Sequence, residues 1–278
     1  MAMQHSLGSG LRYGVAGDGA PVIALHGSAS TGAQWRSLVG YLEGRFRVYT
    51  PDLPGYVGSA WAEAPGLAGE AAVIGALIDR IGGPVHLIGH SYGGAVALKL
   101  ATMRPERLRS LTLIEPAVFH LLRGGAEQRL YREIMGIAAA LNAAPGPGSR
   151  EAAMRLFIDY WAGQHAFTRS SARLQQFFLG CHDRVRADFA ALAAETLGYA
   201  DIARIECPAL VAMGLESPTP SLRASELVAE ALPRATLRMI PEAGHLAPLT
   251  DPHVVDPMIG AHLVVADRVV RLAPAIAA

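Results

Sequence analysis

From the N-terminus to about Pro116, short continuous apolar runs alternate with longer stretches whose apolar residues recur at helical spacing. Short apolar runs bounded by turn residues predict buried strands, and a 3.6-residue period predicts amphipathic helices. On this basis strands are predicted over Leu11–Ala16, Val22–Leu25, Arg47–Thr50, Val85–Ile88 and Leu111–Ile114. Helices are predicted from Ser30 or Thr31 through Trp35, Leu38 and Leu42, over Leu67–Ile81, and over Ala95–Ala101. Strict alternation of this kind implies right-handed crossovers and a parallel sheet. The rhythm then stops. From Ala117 to about Glu206 no strand is visible, and helical segments take over around Glu127–Leu141, Glu151–Trp161, Ala172–Gly180 and Asp188–Leu197. The strand signal resumes at Ala209–Met213, followed by a helix over Ser221–Leu232, a strand over Thr236–Ile240 and a last helix from about Pro252.

Charge and composition narrow the picture by subtraction. The 24 basic and 24 acidic residues cancel, the only lysine is Lys99, and no Lys/Arg run is present. Neither nucleic acid nor an anionic membrane is therefore an expected partner. The apolar content of 51% is high, yet no uncharged apolar run approaches the ~20 residues that a membrane span needs. Two cysteines, Cys181 and Cys207, make no disulfide framework and fit a reducing compartment. Met1–Gly10 has neither a basic n-region nor an apolar h-region. A cytoplasmic location is the expectation. No zinc-like Cys/His spacing is visible and no glycine-rich phosphate loop follows the first strand, so no metal and no cofactor is expected. A small-molecule substrate is the expected partner, and a homodimer stays open.

One polar interruption carries most of the chemistry. Gly89-His90-Ser91-Tyr92-Gly93 separates the strand at Val85–Ile88 from the helix at Ala95–Ala101, and Gly94 extends the small surface. A serine on so sharp a turn takes a strained backbone, and its neighbours two positions away must be very small because strand and helix nearly touch there. The hydroxyl gains exposure at a helix N-terminus, where free N–H groups and the dipole favour negative charge. Without its flanks the G-x-S-x-G pattern is a weak signal; between a strand and a helix it is specific.

With these flanks the chain resembles the α/β-hydrolase family, in which this pentapeptide is the nucleophile elbow. The resemblance spans essentially the whole chain. It is carried by the elbow, by His26-Gly27-Ser28 after the Val22–Leu25 strand, and by the Pro241–Pro248 loop around His245. It implies an α/β-hydrolase fold: a mostly parallel central sheet flanked by helices, with an inserted helical cap. Residues 1–116 and 207–278 would form the core and 117–206 the cap. Ser91 is the implied nucleophile. Serine needs a base beside it, and His245 stands in the loop where this family keeps its catalytic histidine. The oxyanion needs preorganised N–H donors, implied here to be the backbone amides of Ser28 and Tyr92, with His26 and Gly27 shaping the oxyanion loop. On this reading the side chains of Ser28 and Tyr92 also face the pocket.

The acid is where the sequence departs from the commonest family pattern. The resemblance places an aspartate after the Ala209–Met213 strand, and Gly214-Leu215-Glu216-Ser217-Pro218 has Ser217 there. Serine cannot supply the charge that stabilises an imidazolium. Glu115, at the end of the Leu111–Ile114 strand, is assigned the role, with Glu216 as the alternative; failing both, the triad is incomplete and Glu115 is a strand-end carboxylate satisfied by the cap. Pro116 predicts an extended backbone at Glu115. Asp52 reads as a structural turn residue. Among the insertion's aromatics, Phe157, Tyr160, Trp161, Phe167, Phe177 and Phe178 either line an apolar acyl pocket or simply fill core.

These readings converge on a cofactor-independent serine hydrolase that cleaves a small, rather apolar ester or related carbonyl compound through an acyl-enzyme. The same site would also serve carbon–carbon bond hydrolysis or acyl transfer, and a non-catalytic small-molecule receptor of the same fold is the alternative from another class.

Overall fold

The computed structural model describes residues 3–8, 10–59 and 66–272, so Met1, Ala2 and Ser9 of the N-terminal stretch lie outside the described residues. Eight strands form one sheet: β1 (Met3–Ser6), β2 (Arg12–Ala16), β3 (Ala20–Leu25), β4 (Phe46–Pro51), β5 (Val85–His90), β6 (Leu108–Ile114), β7 (Ala209–Gly214) and β8 (Ala235–Ile240). Their spatial order is β1-β2-β4-β3-β5-β6-β7-β8. The first two ladders, β1 with β2 and β2 with β4, are antiparallel; every later one is parallel. β1 has no counterpart in the sequence reading. Met-Gln-His-Ser carries no apolar run, because an edge strand needs only its backbone ladder to β2, from Met3 opposite Val15 to Ser6 opposite Arg12.

Helices α1 (Arg36–Leu42), α2 (Gly66–Ile81) and α3 (Tyr92–Met103) connect the early strands. The first is preceded by a tighter turn over Gly32–Trp35, whose Ala33 amide is capped by Thr31. Between β6 and β7 the chain runs through α4 (Gln128–Asn142), α5 (Pro147–Ala162), α6 (Ala166–Arg169), α7 (Ala172–Gly180), α8 (His182–Ala194) and α9 (Tyr199–Ile202). α10 (Thr219–Ala231) joins β7 to β8, and α11 (Ala247–Thr250) and α12 (Pro252–Leu272) close the chain.

Side chains alternate across the sheet with period two. Val22, Ala24, Ile88, Ile114, Ala212 and Ile240 face α1 and α12. Ile23, Leu25, Val85, Leu87, Leu111, Leu113 and Val211 face α2, α3 and α10, in a core continuous with that of the inserted helices. The single-turn helices α6, α9 and α11 have no counterpart in the sequence reading, and one longer helix departs from expectation. α8 starts at His182 rather than at Asp188, because its buried face carries the polar residues His182, Arg184 and Asp188. These interrupt the apolar period, and Asp188 imitates a helix-start signal while lying in mid-helix.

Candidate active site

The turn between β5 and α3 is as tight as two backbones permit. A Cβ on Gly89 would lie 2.4 Å from the Gly93 carbonyl oxygen, and one on Gly93 would lie 2.4 Å from that of His26. Ser91 takes φ 52°, ψ −120°, a sparsely populated region costing a non-glycine residue on the order of 1–3 kcal/mol. Its amide is anchored on the Ile114 carbonyl of the next strand at 3.0 Å. The hydroxyl is thereby presented at the N-terminus of α3.

His245 lies in the loop after β8. Its Nε2 accepts from Ser91 Oγ at 2.9 Å, and its Nδ1–H donates to Glu115 Oε2 at 2.7 Å. Glu115 directly follows β6, which lies between β5 and β7. Its backbone is not extended: φ is 44°, which turns the carboxylate inward despite the following proline. The Gly214 amide and the Ser217 hydroxyl donate to Oε1 at 2.9 and 2.6 Å, and the Ser221 hydroxyl donates to Oε2 at 2.7 Å. Burial would raise the pKa of Glu115, but the charge of His245 and the hydrogen bonds from His245, Ser217 and Ser221 together hold it down at about 2. Glu216 is exposed and is not brought to His245. Ser217, read only as a missing acid, instead donates to the acid that is present. Ser221 was not legible, since nothing in α10 marks one buried serine from another.

Ser28 and Tyr92 bracket Ser91 from two elements. Among the described residues no acceptor is found for either backbone amide. Ser28 borders the cavity, with its hydroxyl donating to Asp188. Tyr92 does not: its hydroxyl points away from Ser91, into the protein, and donates to Glu70 Oε1 at 2.5 Å. As the first residue of a helix that packs tightly on the sheet, Tyr92 has only the interior available to its ring.

A chain of neutral groups fixes the surrounding loops. Burial lowers the pKa of His26 to about 4 and that of His90 to about 3, where the charge of His245 adds to the effect. His26 donates from Nδ1 to the Gly27 carbonyl (2.7 Å) and accepts the Leu53 amide at Nε2 (2.9 Å). Gln34 accepts the Gly27 amide (3.2 Å) and donates to His90 Nδ1 (3.1 Å), while His90 Nε2–H donates to the His245 carbonyl (2.8 Å). Gln34 was missed in the sequence, and His90 was read only as part of a backbone motif. Asp52 accepts the Gly32 amide at 2.8 Å, at the start of the turn that presents Gln34.

Ser91 opens on a cavity of about 120 Å³, walled by Phe119, Phe157, Trp161, Phe178, Phe189 and Leu192 among others. Phe157, Trp161 and Phe178 thus reach the cavity, whereas Phe167 is buried in the core and Tyr160 borders an outer depression. Trp161 covers one face of the His245 ring, with centroids 4.3 Å apart. No group of three or more His, Cys, Asp or Glu able to hold a metal ion occurs among the described residues. No described helix is long and apolar enough to cross a membrane.

A second polar cluster joins α8 to the core nearby. Arg184 pairs with both oxygens of Glu70 at 2.8 Å, with Asp188, and with the Pro54 carbonyl at 2.7 Å. The rings of Tyr56 and Tyr92 flank its guanidinium. Burial, only partly opposed by Arg184, raises the pKa of Glu70 to about 7 and that of Asp188 to about 6.

Comparison with known proteins concerns the chain and its fold. The sequence profile of the alpha/beta hydrolase family matches residues 22–257. The lipase LipV of Mycobacterium tuberculosis is 40% identical over 108 residues, 38% of this chain and 41% of the lipase; the match therefore spans about two fifths of that relative's length. The (E)-2-((N-methylformamido)methylene)succinate hydrolase of Acinetobacter baylyi is 24% identical over 259 residues, 89% of this chain and 91% of that enzyme. Among solved structures, a thermophilic esterase of Thermogutta terrifontis superposes with a TM-score of 0.74 at 22% identity, covering 96% of this chain and 99% of the esterase.

Proposed function

The chain belongs to the alpha/beta hydrolase family, and on that premise we propose that it is a serine hydrolase cleaving a small, rather apolar ester or related carbonyl compound. The observation that carries the reading is the unbroken hydrogen-bonded line Ser91–His245–Glu115, at 2.9 and 2.7 Å, facing an aromatic-lined cavity of about 120 Å³. Ser91 Oγ attacks the carbonyl carbon as its proton passes to His245 Nε2. Glu115, kept ionised by its donors, stabilises the imidazolium through Nδ1–H. The amides of Ser28 and Tyr92 receive the oxyanion, assisted by the N-terminus of α3. His245 then protonates the leaving group, and in the second half-reaction it deprotonates the water that releases the acid from Ser91.

The helices between β6 and β7 are read as a cap over this site, spanning residues 117–206. They supply Phe157, Trp161, Phe178, Phe189 and Leu192 to the cavity wall, so substrate choice would rest largely with them. The test is a series of p-nitrophenyl esters of increasing acyl length, run beside fluorophosphonate labelling. Labelling at Ser91 and turnover that falls beyond short acyl chains are expected. No label and no turnover of any ester would sink the reading in favour of a ligand receptor of the same fold.

A further inference from the structure

The loop after β3 is held from two sides. On the core side, His26 takes the Leu53 amide and Gln34 takes the Gly27 amide. On the other side a single carboxylate oxygen of the inserted helices does the holding. Asp188 Oδ2 on α8 accepts the hydroxyls of Ser28 and Tyr56, each at 2.6 Å, and Tyr56 Oη in turn accepts the amide of Ala29 at 3.1 Å. Ala29 has φ 51°, a left-handed conformation that alanine keeps only where its surroundings impose it. Asp188 is 0% exposed, and its other oxygen pairs with Arg184, which is itself tied to Glu70 and the Pro54 carbonyl. The conformation of Ser28 and Ala29 is thus set by a residue 160 positions further along the chain.

We infer that Asp188 is a positioning residue for oxyanion stabilisation, holding the Ser28 amide in place through Ser28 and Tyr56, so that the oxyanion site is complete only when α8 is seated on the core. This rests on the reading of the Ser28 amide as an oxyanion donor. Asp188 itself touches no reacting atom. Donors serve a developing oxyanion only at about 2.7–3.1 Å, and a displacement of about 1 Å costs on the order of 10²-fold in rate. The inserted helices therefore govern chemistry as well as access: a substrate that keeps α8 from seating is bound in a site lacking one of its donors.

Asp188→Ala and Ser28→Ala remove the same hydrogen bond from opposite ends, and the second leaves the charges of Arg184, Glu70 and Asp188 in place. Rates are expressed per Ser91 that fluorophosphonate labels to completion, so that a loss of folded protein is not read as a loss of chemistry. Each variant is expected to lower kcat by roughly 10- to 100-fold, with KM changed less than about threefold. The double variant should fall no further than the worse single one, because one bond is lost only once. Asp188→Asn, which keeps an acceptor oxygen, should recover most of the loss. Inhibition by an aryl boronic acid, whose tetrahedral adduct places an oxygen in the same position, should weaken in parallel with kcat. Losses that multiply in the double variant, or an unchanged kcat in Ser28→Ala, overturn the proposal, and Ser28→Ala decides alone if Asp188→Ala does not fold. A parent protein that fails to label would instead remove the serine hydrolase reading itself.

Discussion

Glu115 and the Glu70–Asp188 pair are buried to the same depth, yet they hold their protons in opposite ways. All three carboxylates are at most 1% exposed. Glu115 receives four donors, from Gly214, Ser217, Ser221 and His245, and its pKa falls to about 2. Glu70 and Asp188 divide one guanidinium between them, with hydroxyl donors from Tyr92 to the first and from Ser28 and Tyr56 to the second, and their pKa values rise to about 7 and 6. Burial opposes ionisation in both places. What differs is the balance of charge: Glu115 faces His245, whereas Glu70 also faces the charge of Asp188, which raises its pKa further. With Arg184 charged and both acids ionised, the second cluster would carry a net negative charge out of contact with water. It titrates as a unit and keeps a proton longer than an exposed pair would. In the proposed mechanism the first site holds a charge ready for chemistry; the other fastens α8 to the core and tolerates only as much charge as it can balance.

The comparison is broken most directly by neutralising Glu115. Glu115→Gln is expected to lower kcat by about 10⁴, the scale seen when a triad loses its acid. Adding Ser217→Asp should restore part of it, since that position already reaches Oε1 of Glu115 at 2.6 Å. A kcat within tenfold of wild type in Glu115→Gln would retire the assignment. The next effect belongs to the other cluster. Arg184→Met strands two buried acids without their counter-charge, and breaking a buried pair in this way costs about 3–5 kcal/mol, readable as a lowered denaturation midpoint in urea.

Titration sharpens the contrast further, because the two sites have opposite signs. Glu115 has a lowered folded-state pKa, so its contribution to stability is present above the ordinary value of 4.5 and is lost as pH falls toward about 2. Glu70 and Asp188 have raised values, so their contribution is present below the ordinary 4.5 and 3.8 and is lost as pH rises through about 7 and 6 respectively. Glu70→Gln removes the proton that the cluster must surrender. Its melting temperature should therefore gain on that of wild type between pH 5 and pH 8, and parallel curves would contradict the sign. The smallest effect is expected at Glu216, which is exposed. Glu216→Gln should leave kcat unchanged and shift stability by no more than about 0.5 kcal/mol.

What the sequence made legible was local. Buried parallel strands are written as apolar runs, so β3, β5, β6 and β7 could be located within a few residues. The Gly89–Gly93 turn announces itself because only glycine survives its 2.4 Å approaches. β1 left no trace, since an edge ladder makes no demand on side chains. The start of α8 was misplaced for a related reason: Arg184 and Asp188 are satisfied by residues far away in the chain, and local spacing registers them as solvent-facing. The direction of Tyr92 was misjudged on similar grounds. Its partner Glu70 lies 22 residues earlier in the chain, and no periodicity connects the two.

The hydroxyl of Ser217 bears on how such a site could change hands between strands over generations. It sits where the resemblance places an aspartate, and it donates to the carboxylate of Glu115, the acid in the proposed mechanism. A lineage moving its acid from one strand to the next must pass through an ancestor with both acids or one with neither. With both present, two carboxylates within hydrogen-bond reach would share one proton and still present a single negative charge to the imidazole. An aspartate at position 217 of the present protein would bring both carboxylates within reach of that single proton.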